Sequence, residues 1–111
     1  MTTIFGKIIK RELPAEIVFE NDKVLAIKDK YPAAPIHILI MPKKEIPDFQ
    51  SLKPEDYPLI EECFKVAQQI AAQYGITGGY RLLTNNGSLA GQTIFHLHFH
   101  LLGGRQLGTM G

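Results

Sequence analysis

Seven residues near the end of the chain, Phe95-His96-Leu97-His98-Phe99-His100-Leu101, alternate strictly between apolar side chains and histidine. In an extended strand successive side chains point to opposite faces, so alternation of this kind reads as strand. The pattern predicts a strand over residues 94–102 with Phe95, Leu97, Phe99 and Leu101 on one face. His96, His98 and His100 share the other. The apolar face explains why the segment folds onto a core. It does not explain three imidazoles in a row, because polar groups on a strand face need partners or water.

The rest of the chain supplies the partners for such a strand. Thr3 is placed to cap a short helix in which Ile4, Phe5, Ile8 and Ile9 share a face, with Pro14 closing it. Strand-like runs follow at 16–20 and 23–29, joined by a tight turn at Asn21-Asp22, and a rigid two-proline turn spans 31–35. Residues 36–41 are apolar apart from His37, which suggests a strand covered on both faces. A loop with three prolines leads to the main helix, 58–74, which Gly75 ends. A fourth strand is expected at 80–84, a polar glycine-bearing loop at 85–93, and an irregular tail from Gly103 to Gly111. The order helix, strands, helix, strands predicts an α+β domain over residues 1–111, with helices against a largely antiparallel sheet.

On the main helix Leu59, Ile60, Cys63, Phe64, Val66, Ala67, Ile70, Ala71 and Tyr74 cover an arc of roughly 160°. A helix resting on one core needs only about 100°. The excess points to deep burial or to a second partner.

Composition excludes several classes. A net charge of +1 is wrong for a dedicated nucleic-acid binder, which needs a basic surface to displace counterions. A single cysteine, Cys63, rules out an intrachain disulfide and leaves a reducing, cytoplasmic setting as the expectation. No signal-like segment is expected, and the apolar runs are too short for a membrane span.

Three readings of the histidines stand side by side. They could be hydrogen-bonded structural residues. They could bind a metal, but alternate strand residues lie about 6.6 Å apart and His96 and His100 about 13 Å apart. One ion could not reach all three, so a pair would need a further ligand such as His37. Or they could carry out nucleophilic and acid–base chemistry at phosphorus, for which imidazole suits because its pKa lies near neutrality.

The stretch from Gly91-Gln92-Thr93 through the alternating histidines to Gly103-Gly104-Arg105 resembles the signature of the histidine triad (HIT) family, in particular its Hint branch. Thr3-Ile4-Phe5-Gly6-Lys7-Ile8-Ile9, Ala34-Pro35-Ile36-His37, Pro42-Lys43-Lys44 and Asn85 extend the resemblance along nearly the whole chain. It implies a five-stranded sheet with one short and one long helix, two copies of which join into a ten-stranded sheet. It implies hydrolysis of purine nucleoside phosphoramidates, adenosine monophosphate joined to an amine; no cofactor is expected, and the strand spacing, with no carboxylate in the triad segment, argues against a metal.

By the same resemblance His98 would be the nucleophile, and His100 would contact phosphate and assist the leaving group. His96 and His37 would support the site from behind. Asn85 and Thr93 would bond near the phosphate, and Gln92 would join them in binding the nucleotide. Asp29 would hold the ribose hydroxyls, and Phe5, Ile8 and Ile27 would line the base pocket. Thr93 replaces a serine common among relatives, and the tail lacks the tryptophan and prolines many Hint proteins carry. Two further functions remain open: cleavage of dinucleoside polyphosphates, and a non-catalytic zinc-binding or regulatory dimer.

Overall fold

A computed structural model describes residues 2–110; Met1 and Gly111, the ends of the expected domain, lie outside the described residues. The elements in order are α1 (Ile4–Ile9), β1 (Ile17–Glu20), β2 (Val24–Lys28), β3 (Ile36–Pro42), α2 (Tyr57–Gln73), β4 (Tyr80–Leu83) and β5 (Phe99–Gly103), with short 3-10 turns in the loops. The strands form one sheet in the order β1-β2-β3-β5-β4, and every neighbouring pair is antiparallel. No helix among the described residues is long and apolar enough to cross a membrane.

Local chemistry sets the element ends. The Thr3 hydroxyl accepts a hydrogen bond from the Gly6 amide at 3.1 Å and starts α1 as expected. Pro14 does not end it. The helix stops at Ile9, and Arg11 adopts a left-handed conformation (φ 64°). Its amide then bonds to Ile8 O and that of Glu12 to Lys7 O, a Schellman closure built without glycine. In α2 the same closure uses Gly75 (φ 69°), with Gly75 N bonded to Ala72 O and Ile76 N to Ala71 O. Between β1 and β2 the Asn21 side-chain oxygen accepts from the amides of Lys23 and Val24, both at 2.8 Å, and so fixes the turn.

The sheet is covered on both sides. On one face Ile60, Cys63, Val66, Ala67 and Ile70 of α2 pack on Val24, Ala26, Ile38, Ile40, Phe99 and Leu101. On the other, Phe5 and Ile8 of α1 pack on Leu25, Ile27, Leu39 and Met41. β3 therefore buries both of its faces, as its apolar run requires. The broad arc on α2 is only partly used: Phe64 is 44% exposed, and Tyr57 and Tyr80 are exposed nearby.

The histidine strand differs from expectation. β5 begins at Phe99, so His96 and His98 precede it. Ladder pairing between β3 and β5 stops at Ile40–Phe99, two residues short of Pro42, which has no N–H to donate to a further rung. The Leu97 amide bonds instead to Ile46 O at 2.7 Å in the proline loop. Apolar alternation survives at Leu97, Phe99 and Leu101, all buried, but Phe95 has turned outward and is 45% exposed.

Candidate active site

Four histidines and one carboxylate converge beneath α1. His37 lies near the start of β3 and His100 in the adjacent β5. Asp29 follows β2, where its amide bonds to His37 O at 2.9 Å. His96 and His98 approach along the extended lead-in to β5. The Phe5 ring of α1 meets His98 edge-on at 4.9 Å and His96 at 6.4 Å, which joins the α1 cluster to the triad. His98 and His100 rings lie 5.0 Å apart.

Hydrogen bonding fixes which nitrogen of each ring carries the proton. His98 Nδ1 lies 2.7 Å from His96 O. A carbonyl can only accept, so Nδ1 holds the hydrogen and Nε2 presents a lone pair. His96 Nε2 lies 2.7 Å from Pro42 O and by the same argument is protonated there. Its Nδ1 is, among the described residues, the one buried side-chain nitrogen or oxygen without a hydrogen-bond partner. His37 Nδ1 accepts from the Ala33 amide at 3.0 Å, so the ring's hydrogen is on Nε2. That N–H faces His100 Nδ1 at 2.9 Å and Asp29 Oδ2 at 3.3 Å. His100 Nδ1 is then an acceptor, and its remaining hydrogen sits on Nε2.

Electrostatics agree with neutral rings. Burial holds His98 and His96 below the ordinary imidazole pKa, against the opposing pull of their carbonyl partners. Burial does the same for His37, with Asp29 opposing. His100 is pushed down to about 4 by burial and by the neighbouring His98 and His37. With a neutral His37, its 3.3 Å contact with Asp29 is not an ion pair. Asp29, His37 and His100 offer three possible metal-ligand atoms within 4.8 Å of one another.

The remaining expected residues fall into two groups. Phe5, Ile8 and Ile27 are buried together against the histidines' side of the sheet, with Leu39 and Met41 completing their cluster. Asn85 is half-buried and Thr93 exposed, and among the described residues neither side chain hydrogen-bonds a histidine. Gln92 is buried with its amide fully engaged: Oε1 accepts from Gly87 N at 2.8 Å, and Nε2 donates to Pro47 O and Ile94 O. It ties the 85–93 loop to the proline loop.

Two contributors escaped the sequence reading. The Thr84 hydroxyl donates to His98 O at 2.7 Å, anchoring the triad backbone to the end of β4. The Ala33 amide reaches His37 from the two-proline turn. Neither residue type signals such a role, since one is an ordinary strand-end threonine and the other acts through its backbone.

Comparison with known proteins places this geometry. The HIT domain family model matches residues 10–107. A HIT-like protein of Chlamydia pneumoniae is 50% identical over 108 residues, covering 97% of this chain and 98% of the relative. A HIT-like protein of Synechocystis is 52% identical over 103 residues, covering 93% and 90%. Among solved structures, a HIT family hydrolase from Clostridium thermocellum superposes with a TM-score of 0.93 at 48% identity, covering 97% of this chain and 95% of that one. A histidine triad protein from Clostridium difficile gives 0.92 at 37% identity, covering 97% and 95%. The chain belongs to the HIT domain family.

Proposed function

We propose that this protein is a Hint-type hydrolase that cleaves the P–N bond of purine nucleoside 5′-phosphoramidates, with His98 as the nucleophile. The observation that carries the reading is the 2.7 Å bond from His98 Nδ1–H to the His96 carbonyl, which leaves Nε2 unprotonated and fixed in direction. Nε2 bonds to phosphorus as the P–N bond breaks. The departing nitrogen keeps the bonding pair, takes a proton from solvent water and leaves as an amine, with His100 Nε2–H as its hydrogen-bond donor. Water then adds to phosphorus, the bond to His98 breaks, and a proton returns to solvent. His98 regains its neutral form. The Phe5, Ile8 and Ile27 cluster supplies apolar side chains beside the triad for a flat base, and Asp29 a carboxylate for ribose hydroxyls.

A turnover panel tests this reading. Adenosine monophosphate–amine conjugates should be cleaved faster than dinucleoside polyphosphates, and cleavage of the polyphosphates alone would overturn it. The mechanism uses no metal, so exhaustive chelation should leave the rate unchanged; loss of turnover restored by zinc would contradict that part.

We further propose a homodimer in which β4 edges meet to give a ten-stranded sheet. β4 ends the sheet order, and exposed Tyr57, Phe64 and Tyr80 border a shallow groove between it and α2. A symmetric contact covers the open edge and the unused apolar arc with one surface.

A further inference from the structure

Asp29 Oδ2, His37 Nε2 and His100 Nδ1 lie on three separate segments and close to the spacing of a metal site. His37 Nε2 is 3.3 Å from the carboxylate and 2.9 Å from the second imidazole. An ion bonded at about 2.0–2.1 Å in a tetrahedral set holds its ligand atoms about 3.3 Å apart. Two histidines and a carboxylate are a common ligand set for zinc. By composition and distance, the trio should take a divalent ion.

The Ala33 amide forbids it. A neutral imidazole has one N–H and one lone pair. The Ala33 N–H takes the Nδ1 lone pair of His37 at 3.0 Å, so the ring's hydrogen is forced onto Nε2, the atom that would have to bind the ion. In metal sites the arrangement is the reverse, since the non-ligating nitrogen of a histidine donates its N–H to an acceptor. Here it meets a donor. Ligation through Nε2 would put two hydrogens face to face at Nδ1 or demand an imidazolate.

The turn that carries this amide is held on several sides. Ala33 O accepts from Arg105 at 2.8 Å, and Asp29 Oδ1 accepts from Tyr31 N at 2.8 Å. Gly104 (φ 95°) packs so closely that a Cβ there would stand 3.0 Å from Pro35. The amide therefore cannot swing away at low cost.

We propose that the backbone amide of Ala33 sets the protonation pattern of the His37–His100 pair. It fixes His37 as a positioning residue in its Nε2–H form, which turns the free N–H of His100 toward substrate and closes the Asp29–His37–His100 trio to divalent ions. The part concerning substrate rests on the phosphoramidase reading. The tautomers and the exclusion of metal do not, and both are read without turnover.

The test is carried out on the full chain labelled with 15N-histidine. Long-range 1H–15N correlation should show His37 and His100 as Nε2–H tautomers in the wild type. Finding His37 as Nδ1–H would overturn the proposal. Zinc titration, followed through the same resonances, should leave His37 unperturbed in the wild type. Ala33→Pro removes the N–H, and the variant should bind zinc through His37 about tenfold or more tightly than the wild type. Should the proline variant not fold, the bond can be removed by replacing the residue-33 amide with an ester through chemical ligation. A folded variant whose zinc affinity equals that of the wild type, or a wild type that itself ligates zinc through His37, would overturn the exclusion. Absence of phosphoramidase activity in either protein would bear on the proposed reaction and leave these readouts standing.

Discussion

The chemistry of the site is decided atom by atom, by which imidazole nitrogen finds a carbonyl and which finds an amide. His98 and His96 each meet a carbonyl and His37 meets an amide, so rings of one residue type differ in which nitrogen is left free. Replacing His98 with Asn removes the attacking lone pair and should lower turnover roughly a thousandfold or more while nucleotide binding persists. Replacing His100 with Asn removes the Nε2–H placed at the leaving group, along with the Nδ1 acceptor of His37, and leaves the nucleophile in place, so its cost should grow with the basicity of the departing amine. A series of amine leaving groups measured against both variants separates the two roles: a uniform loss across the series in His100→Asn would contradict the assignment.

At the scale of elements, the site depends on a segment that is nearly a strand. Residues 94–98 continue the line of β5 but draw their partners from loops and side chains. Leu97 bonds to Ile46 O, His98 O accepts from Thr84, and Gln92 ties the preceding loop down. Thr84→Val should therefore cost about 1 kcal/mol of stability. It should also lower kcat more than it raises KM, since the bond orients the nucleophile's backbone; denaturant melts and steady-state kinetics check both. The sheet, both helices and the gathering of three histidines were legible from period and from capping residues. The end of the β3–β5 ladder was not, because it follows from Pro42 lying opposite the triad across the sheet, a relation local sequence does not carry. Phe95 was misplaced for the same reason. Gln92 could be singled out from the motif it sits in, but its three bonds to two loops are tertiary facts, as is the amide of Ala33 behind His37.

The molecule as a whole carries the cost of keeping four imidazoles neutral in one place. The pKa of each lies below that of a free imidazole in the folded state, that of His100 at about 4 against 6.5. As pH falls below 6.5 the unfolded chain takes up protons that the folded one refuses. Stability should thus be full above that value and decline through the window from 6.5 toward 4, visible as a falling Tm; a Tm flat across this range would contradict neutral histidines. Assembly can be checked at the same scale. Sedimentation equilibrium at micromolar protein should give twice the 12.4 kDa chain mass, and Phe64→Glu should return it to monomer; a wild-type monomer would remove the ten-stranded sheet. Covalent catalysis at His98 is tested most directly by rapid quench of the enzyme with a labelled nucleoside phosphoramidate, followed by peptide mass analysis. The account predicts a nucleotidyl group on His98 and no other residue. A label on His96 or His100, or none at any time during turnover, would contradict it.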